Sequence, residues 1–284
     1  MKSILITGGA GFIGSQLSLR LTEEGNQVTV LDNLSQQIHG KDAKKSPLFK
    51  SIEGKVNFIE GDVRSKDDWI KALHKQDIVV HFAAETGTGQ SMYQIEKYAD
   101  VNVKGTSILL DLLANGDHSV EKVVVASSRA IYGEGKYSCL KHGYVYPNDR
   151  QDETLSNGIF EPQCPVCNAS LSFEATDENS KIHPSSIYGI TKHNQEQMVL
   201  VSCKSLGIPA VALRYQNVYG PGQSLSNPYT GILSIFSTRI LNGNPINIFE
   251  DGEESRDFVF IDDVVEATRL SMFSKDANDD VFNI

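Results

Sequence analysis

The chain has 284 residues, 40% of them hydrophobic and 22% charged, a composition that suits one large α/β domain or one domain plus a small lobe. Its formal net charge of −10 argues against broad binding to nucleic acid or acidic membranes, but not against a small anionic ligand in a local cationic pocket. No apolar run is long enough to span a bilayer and the N-terminus carries no secretory pattern, so a cytoplasmic protein is expected; its four cysteines then point to metal or buried thiols, not a disulfide framework.

Ser3-Ile4-Leu5-Ile6 reads as a buried parallel strand running into Thr7-Gly8-Gly9-Ala10-Gly11-Phe12-Ile13-Gly14. A helix is predicted over Ser15 to Glu24, with Ile13, Leu17 and Leu21 on one face. A Gly-x-x-Gly-x-x-Gly turn between strand and helix is a dinucleotide-binding pattern. Gly8 turns the chain, Gly11 admits backbone close to a pyrophosphate, Gly14 lets helix pack on strand, and the helix N-terminus offers free N–H donors. A second strand, Val28 to Leu31, ends at Asp32, with Asn33 beside it. A carboxylate there suits the hydroxyls of an adenosine ribose and repels an extra phosphate, which favours NAD over NADP; the alternative is a solvated turn residue. Further strands are predicted over Val56 to Glu60, before the acidic turn Gly61-Asp62-Val63, and over Asp77 to Ala84, ending in small residues that would allow close approach to a cofactor. His81, inside an apolar strand, reads as a structural histidine. Val123 to Ser128 repeats the pattern, and strands alternating with helices at this spacing mean a doubly wound parallel sheet.

Between Ser128 and the next core element lies a long insert, roughly 134–182, with Cys139-x-x-His142 and Cys164-x-x-Cys167. Two such knuckles supply four ligands for a closed tetrahedral zinc site, and the insert has few apolar residues for a core of its own. The alternative is unligated thiols in a mobile loop. Tyr188-Gly189-Ile190-Thr191-Lys192 follows, and on a helix its Tyr and Lys share one face. Behind a dinucleotide fingerprint they form an acid/base pair, the ammonium drawing the phenol's pKa down from about 10. Cys203 reads as core. Ala210 to Arg214 is a strand, Asn227-Pro228-Tyr229-Thr230-Gly231 fits a substrate-facing loop or a plain turn, and Ile232 to Asn242 is a helix. Short strands are predicted at Ile246 to Phe249 and at Phe258 to Ile261, and Asp262 and Asp263 open a final helix.

The glycine turn, His81-Phe82-Ala83-Ala84, Ser127-Ser128-Arg129-Ala130-Ile131-Tyr132-Gly133 and Tyr188 to Lys192 recur in one order, followed by Arg214-Tyr215-Gln216-Asn217-Val218-Tyr219-Gly220-Pro221 and Arg256-Asp257-Phe258. Together they resemble the extended short-chain dehydrogenase/reductases, in the nucleotide-sugar epimerase/dehydratase branch. The resemblance covers nearly the whole chain outside the insert. It implies a Rossmann core over 1–133 and 183–215, interrupted by the insert, with a smaller substrate lobe over 216–284. Relatives continue beyond Ile284, so that lobe is expected to be incomplete.

The resemblance also implies roles. Tyr188 is the acid/base on a sugar hydroxyl, Lys192 holds the nicotinamide ribose and Ser128 bonds the reacting hydroxyl. Gly8, Gly11, Phe12, Ile13, Gly14, Asp32, Asn33, Asp62, Val63, Phe82, Ala83, Ala84, Asn102 and Tyr215 line the NAD site. Thr86, Asn217 and Arg256 contact a nucleotide-diphosphate sugar, the alternative for Arg256 being an ion pair with Glu253 or Glu254. Members that eliminate water carry acidic residues after the Ser128 position; Arg129 and Ala130 stand there instead, which disfavours a 4,6-dehydratase. A 4-epimerase working through a 4-keto sugar is expected, with an NAD-dependent dehydrogenase or reductase, or a UDP-glucose or UDP-glucuronate 4-epimerase, as the alternatives and a non-catalytic NAD-binding protein further behind. The insert and Gly87-Thr88-Gly89-Gln90-Ser91-Met92 resemble a bacterial subgroup acting on dTDP-L-rhamnose for surface polysaccharide, while Thr86 stands where some UDP-galactose epimerases carry Lys. A homodimer through a helix pair is implied, with no nucleic-acid or membrane partner.

Overall fold

A computed structural model describes residues 1–225, 227 and 231–284. Seven parallel strands form the central sheet: β1 (Ser3–Thr7), β2 (Gln27–Asp32), β3 (Asn57–Glu60), β4 (Ile78–His81), β5 (Lys122–Ser128), β9 (Ala210–Tyr215) and β12 (Asp280–Asn283), in the order β12-β9-β5-β4-β1-β2-β3. After β3 the chain crosses back over β1 to begin β4, so strand order reverses between β1 and β4. At such a switch point the loops leaving adjacent strands diverge to opposite faces and open a crevice. Thr7 pairs with both Leu31 and His81, which puts the glycine turn and Phe82-Ala83 at the same end of that crevice.

The strands read as continuous apolar runs because both sheet faces are covered. Ile4, Ile6, Val80, Val124 and Leu213 face one core with Leu17, Leu21 and Val264; Leu5, Val79, Val123, Val125 and Ala212 face the other with Leu109, Leu113, Val199 and Cys203. The first core is closed by helices Phe12–Glu23 and Ile261–Phe273, the second by Gly105–Asn115 and Ile187–Leu206. Cys203 is fully buried.

The insert builds a separate antiparallel sheet of β6 (Tyr137–Cys139), β7 (Gly143–Val145) and β8 (Ser172–Phe173), in the order β7-β6-β8. Two short parallel strands, β10 (Asn217–Tyr219) and β11 (Phe258–Phe260), tie the segment after β9 to the last helix.

Two expectations change, and a third is left open. The first helix begins at Phe12 rather than Ser15, since Gly11 already has the extended backbone of a cap. Ile246 to Phe249 is not a strand: no described strand runs beside it, and Ile248 and Phe249 are largely exposed. Of the proposed substrate loop only Asn227 and Gly231 are described; Pro228, Tyr229 and Thr230 lie outside the described residues. Among the described residues no helix is long and apolar enough to cross a membrane.

Candidate active site

The cradle follows from two glycines. Gly8 has φ +67°, and a Cβ there would come within 2.8 Å of the Ala83 amide nitrogen; a Cβ on Gly14 would lie 2.3 Å from the Gly8 carbonyl oxygen. Side chains at either position would push the turn away from β4 or the helix away from the turn. The helix that follows has no side-chain cap and no acidic residue in its first turn, which leaves its N–H groups available to an anion. Asp32, at the tip of β2, is no solvated turn residue: Oδ2 accepts the Ala10 amide at 3.0 Å and Oδ1 the Leu34 amide at 2.8 Å. Burial nonetheless raises its pKa above the usual carboxylate value. Nearby, Asn33 donates to Asp62 at 3.1 Å, and Arg64 pairs with Asp62 at 2.8 Å and with Asp100 at 3.1 Å. Arg64 holds the Asp62 carboxyl down to about 2 and is itself occupied by carboxylates, an arrangement poorly suited to a second ribose phosphate. These features fit NAD.

Tyr188 and Lys192 lie on the helix Ile187–Leu206, which starts where the Ser186 hydroxyl accepts the Gly189 amide at 3.1 Å. The Tyr188 amide donates to Ser91 Oγ at 3.0 Å, and the Tyr188 ring packs edge-on against Tyr98, so the Thr88–Ser91 turn braces the helix start. Ser128, at the end of β5, accepts the Ala130 amide at 3.2 Å and sits close enough to the Tyr188 hydroxyl to draw its pKa down. The structure thus brings Ser128 and Tyr188 together from separate elements.

Lys192 behaves differently from expectation. Its ammonium donates to Gln195 Oε1 at 2.8 Å, and burial lowers its pKa to about 7 despite the Glu196 carboxylate nearby. Burial also raises the Tyr188 phenol above its ordinary value; the neighbouring Ser128 opposes this, and Lys192 is not among the groups that shift it. A shared helix face brings the two side chains near one another, but the ammonium is directed to Gln195. The phenol is therefore not acidified by the protein's own charge.

Gln195 leads into a buried network that motif reading missed. Its Nε2 donates to Thr106 Oγ1 at 2.9 Å, and the Thr106 hydroxyl donates to the Asn102 carbonyl at 2.6 Å. With that hydroxyl hydrogen used, Thr106 Oγ1 must accept from His81 Nε2 at 2.9 Å, so His81 Nδ1, 2.8 Å from Thr7 Oγ1, is the acceptor. Thr7 Oγ1 in turn accepts the Ala83 amide at 3.1 Å. His81 is a neutral, fully buried structural residue as expected, with its pKa lowered to about 3 mainly by desolvation. It connects the glycine turn, the Phe82-Ala83 loop and Lys192. The i, i+3 spacing of Lys192 and Gln195 was the available signal.

Glu196 accepts from Ser127 at 2.6 Å and forms a bidentate pair with Arg214, at 3.0 and 2.6 Å, buried between the helix and β9. Motif reading noted Arg214 only as part of a string. Asn102, assigned to the cofactor, has its amide engaged by Glu85 and Thr191: Oδ1 accepts the Glu85 amide at 2.7 Å, and Nδ2 donates to the Glu85 carbonyl at 3.1 Å and Thr191 Oγ1 at 3.0 Å. Tyr215 packs edge-on against Phe82, but its hydroxyl turns to Thr268 at 2.6 Å. Val63 is buried, its carbonyl accepting from Trp69 Nε1 at 2.7 Å, and the Thr86 carbonyl accepts from the Tyr98 hydroxyl at 2.5 Å.

Asn217 Nδ2 donates to the Asp257 carbonyl at 3.1 Å, and Arg256 pairs with Glu254 on the surface, the alternative weighed for it. Such an exposed pair is weak enough to be exchanged for a stronger anion. Arg129 is half-buried beside the Arg256 charge, which together with burial lowers its pKa. Among the described residues its guanidinium makes no hydrogen bond or ion pair.

The profile of the "NAD dependent epimerase/dehydratase family" matches residues 4–284. A dTDP-L-rhamnose 4-epimerase of Burkholderia thailandensis is 38% identical over 268 residues, covering 94% of this chain and 71% of that protein. The crystal structure of UDP-glucose 4-epimerase of Thermotoga maritima with UDP-glucose superposes with a TM-score of 0.76 at 32% identity, covering 99% of this chain and 76% of that one. The UDP-glucuronic acid 4-epimerase of Bacillus cereus, solved with UDP-glucuronic acid and NAD, gives a TM-score of 0.77 at 26% identity, covering 99% and 77%. With its switch-point cradle, NAD-compatible acidic strand end and Ser128–Tyr188 contact, the chain belongs to the NAD-dependent epimerase/dehydratase family of extended short-chain dehydrogenase/reductases, which act on nucleotide sugars.

Proposed function

We propose that the protein is an NAD-dependent nucleotide-sugar 4-epimerase, with dTDP-L-rhamnose as its first candidate substrate. The observation that carries this reading is the Ser128–Tyr188 contact with Arg129 and Ala130 next along the chain. Tyr188 can exchange one proton with a substrate hydroxyl while Ser128 fixes that hydroxyl by hydrogen bonding. Elimination of water needs a further acid/base group, and neither a guanidinium nor a methyl group can serve as a carboxylate acid. NAD, when bound, accepts and returns the hydride, and its cationic nicotinamide supplies the positive charge that Tyr188 lacks among its own neighbours. Lys192 and Asp32 hold the two riboses, and the N-terminus of the first helix holds the pyrophosphate. Asn217, Arg256 and Thr86 face the sugar nucleotide. One proton site and one returned hydride leave no net redox change, as inversion at a single carbon requires. The Burkholderia relative supports the choice of sugar.

The same reading divides the chain into a Rossmann core over 1–133 and 183–215, an insert over 134–182 and a substrate lobe over 216–284. A panel of dTDP-, UDP- and GDP-sugars, followed by NMR for inversion at C4, tests the activity. Inversion of dTDP-L-rhamnose without added cofactor turnover is the expected result. Net formation of NADH with an oxidised sugar would replace the epimerase reading by a dehydrogenase.

A further inference from the structure

Cys139, His142, Cys164 and Cys167 come from two separate turns of the insert, yet their ligand atoms all lie within 4.8 Å of one another. Cys139 Sγ is 3.6 Å from His142 Nδ1 and 3.8 Å from Cys167 Sγ, and Cys164 Sγ is 3.5 Å from His142 Nδ1. A tetrahedron with zinc–sulfur bonds of ~2.3 Å and a zinc–nitrogen bond of ~2.0–2.1 Å has edges of ~3.8 Å between sulfurs and ~3.5 Å between sulfur and nitrogen. These three separations match those edges, and all six lie within 4.8 Å. A disulfide would instead bring two sulfurs to ~2.05 Å, and all four cysteines are free.

In the first turn the His142 N–H donates to the Cys139 carbonyl at 3.2 Å; in the second the Asn168 N–H donates to the Cys164 carbonyl and the Cys164 N–H to the Ala169 carbonyl, both at 2.9 Å. Gly143 at φ +68° and Asn168 at φ +56° close the two knuckles. The apolar cluster of the insert has only four buried members, Tyr137, Cys139, Val145 and Cys164, so two of the groups that would form its core are the sulfur ligands themselves.

We infer that these four residues bind one zinc ion that folds the insert, a structural centre separate from the proposed catalytic chemistry. Three sulfurs and one nitrogen fill a tetrahedron and leave no position for water or substrate, so the ion has no Lewis-acid role. Each cysteine thiol releases its proton to solvent as the ion binds. The folded insert also reaches the rest of the molecule: Arg150 bonds to Glu250 at 2.7 Å, and Asn283 Nδ2 donates to the Thr176 carbonyl at 2.9 Å.

Metal analysis of the full chain, purified without chelator or a metal-affinity tag, tests the inference. About one zinc per chain is expected, released when a mercurial titrates the thiols, and replacement by cobalt should give the intense visible bands of a tetrahedral thiolate site. A Cys164→Ser, Cys167→Ser double variant should lose the zinc and become several-fold more susceptible to proteolysis within 140–170, while NAD binding is retained. Because NAD binding is read separately, failure of the metal site and failure of the epimerase reading give different results. Metal-free protein in which Cys139, Cys164 and Cys167 react freely and the protease pattern is unchanged would overturn the inference, as would iron in place of zinc or full zinc content in the double variant.

Discussion

The Tyr188 helix and the segment 134–182 before it differ most in what surrounds their polar groups. In the helix, Lys192, Gln195 and Glu196 are all buried, and each finds a partner supplied by the protein itself: Lys192 at Gln195, Gln195 at Thr106, Glu196 at Arg214 and Ser127. In the insert, two of the four buried apolar-cluster residues are cysteines whose neighbours are other cysteines and a histidine. A sheet-based core can carry a satisfied polar network because surrounding strands fix every donor. A small segment with three short strands cannot, and a metal centre is the compact substitute. Proton chemistry belongs in the first environment, where position and pKa are set together.

The largest expected break in this contrast is Tyr188→Phe. Turnover should fall about 10²–10⁴-fold, the usual worth of a positioned acid/base group, while NAD binding and insert protease resistance stay as they were. Retention of most activity would remove Tyr188 from the proposed chemistry. Next comes Glu196→Ala, which strands the buried Arg214 charge. Breaking such a pair costs about 3–5 kcal/mol, to be read by chemical denaturation with zinc content unchanged. If the loss were below about 1 kcal/mol, the pair would not be holding the helix to β9.

His81 gives a pH test. Its pKa is lowered to about 3 in the folded protein from an ordinary 6.5, so between those values the unfolded chain binds a proton that the folded chain refuses. Stability from this group is complete above pH 6.5 and falls as pH drops, by up to about 1.4 kcal/mol per unit. Denaturation curves from pH 7 down to 4 should show the decline, and a flat profile would mean the folded protein accepts the proton. Arg129→Ala is expected to raise KM for the sugar nucleotide about tenfold, the lower end for a charge-assisted hydrogen bond, with kcat little changed; an unaltered KM would leave the unpaired guanidinium without a substrate contact. The smallest effect is expected from Arg150→Ala, at most about 1 kcal/mol in stability, because its bond to Glu250 is one partly exposed link between insert and chain.

Motif order carried much of this into view before any coordinates. Gly8, Gly14 and Asp32 follow from the strand–turn–helix pattern, since only a bare backbone turn beside an acidic strand end fits a dinucleotide. Ile4 to Ile6 and Val123 to Val125 read as two-sided core strands and are so. The segment Ile246 to Phe249 failed because an apolar tetrapeptide looks like a strand whether or not a neighbour exists to pair with it. Asn102 and Tyr215 are expected beside the cofactor, and their polar atoms bond to Glu85, Thr191 and Thr268, partners that no motif names. A motif gives the residue type at a position and says nothing of where its hydrogen bonds go.

By itself the sequence determined the doubly wound sheet and the NAD-type cradle, because apolar periodicity and glycine spacing constrain short stretches of backbone directly. It also determined that two metal-type knuckles occur in one insert. Only the tertiary structure decided that those knuckles converge at tetrahedral distances, and that Lys192 is turned toward Gln195 and away from acidifying Tyr188. Both outcomes depend on groups 20 or more residues apart in the chain, Cys139 with Cys167 and Gln195 with Thr106 and His81. Local pattern cannot set such distances; the packing of one element against another does.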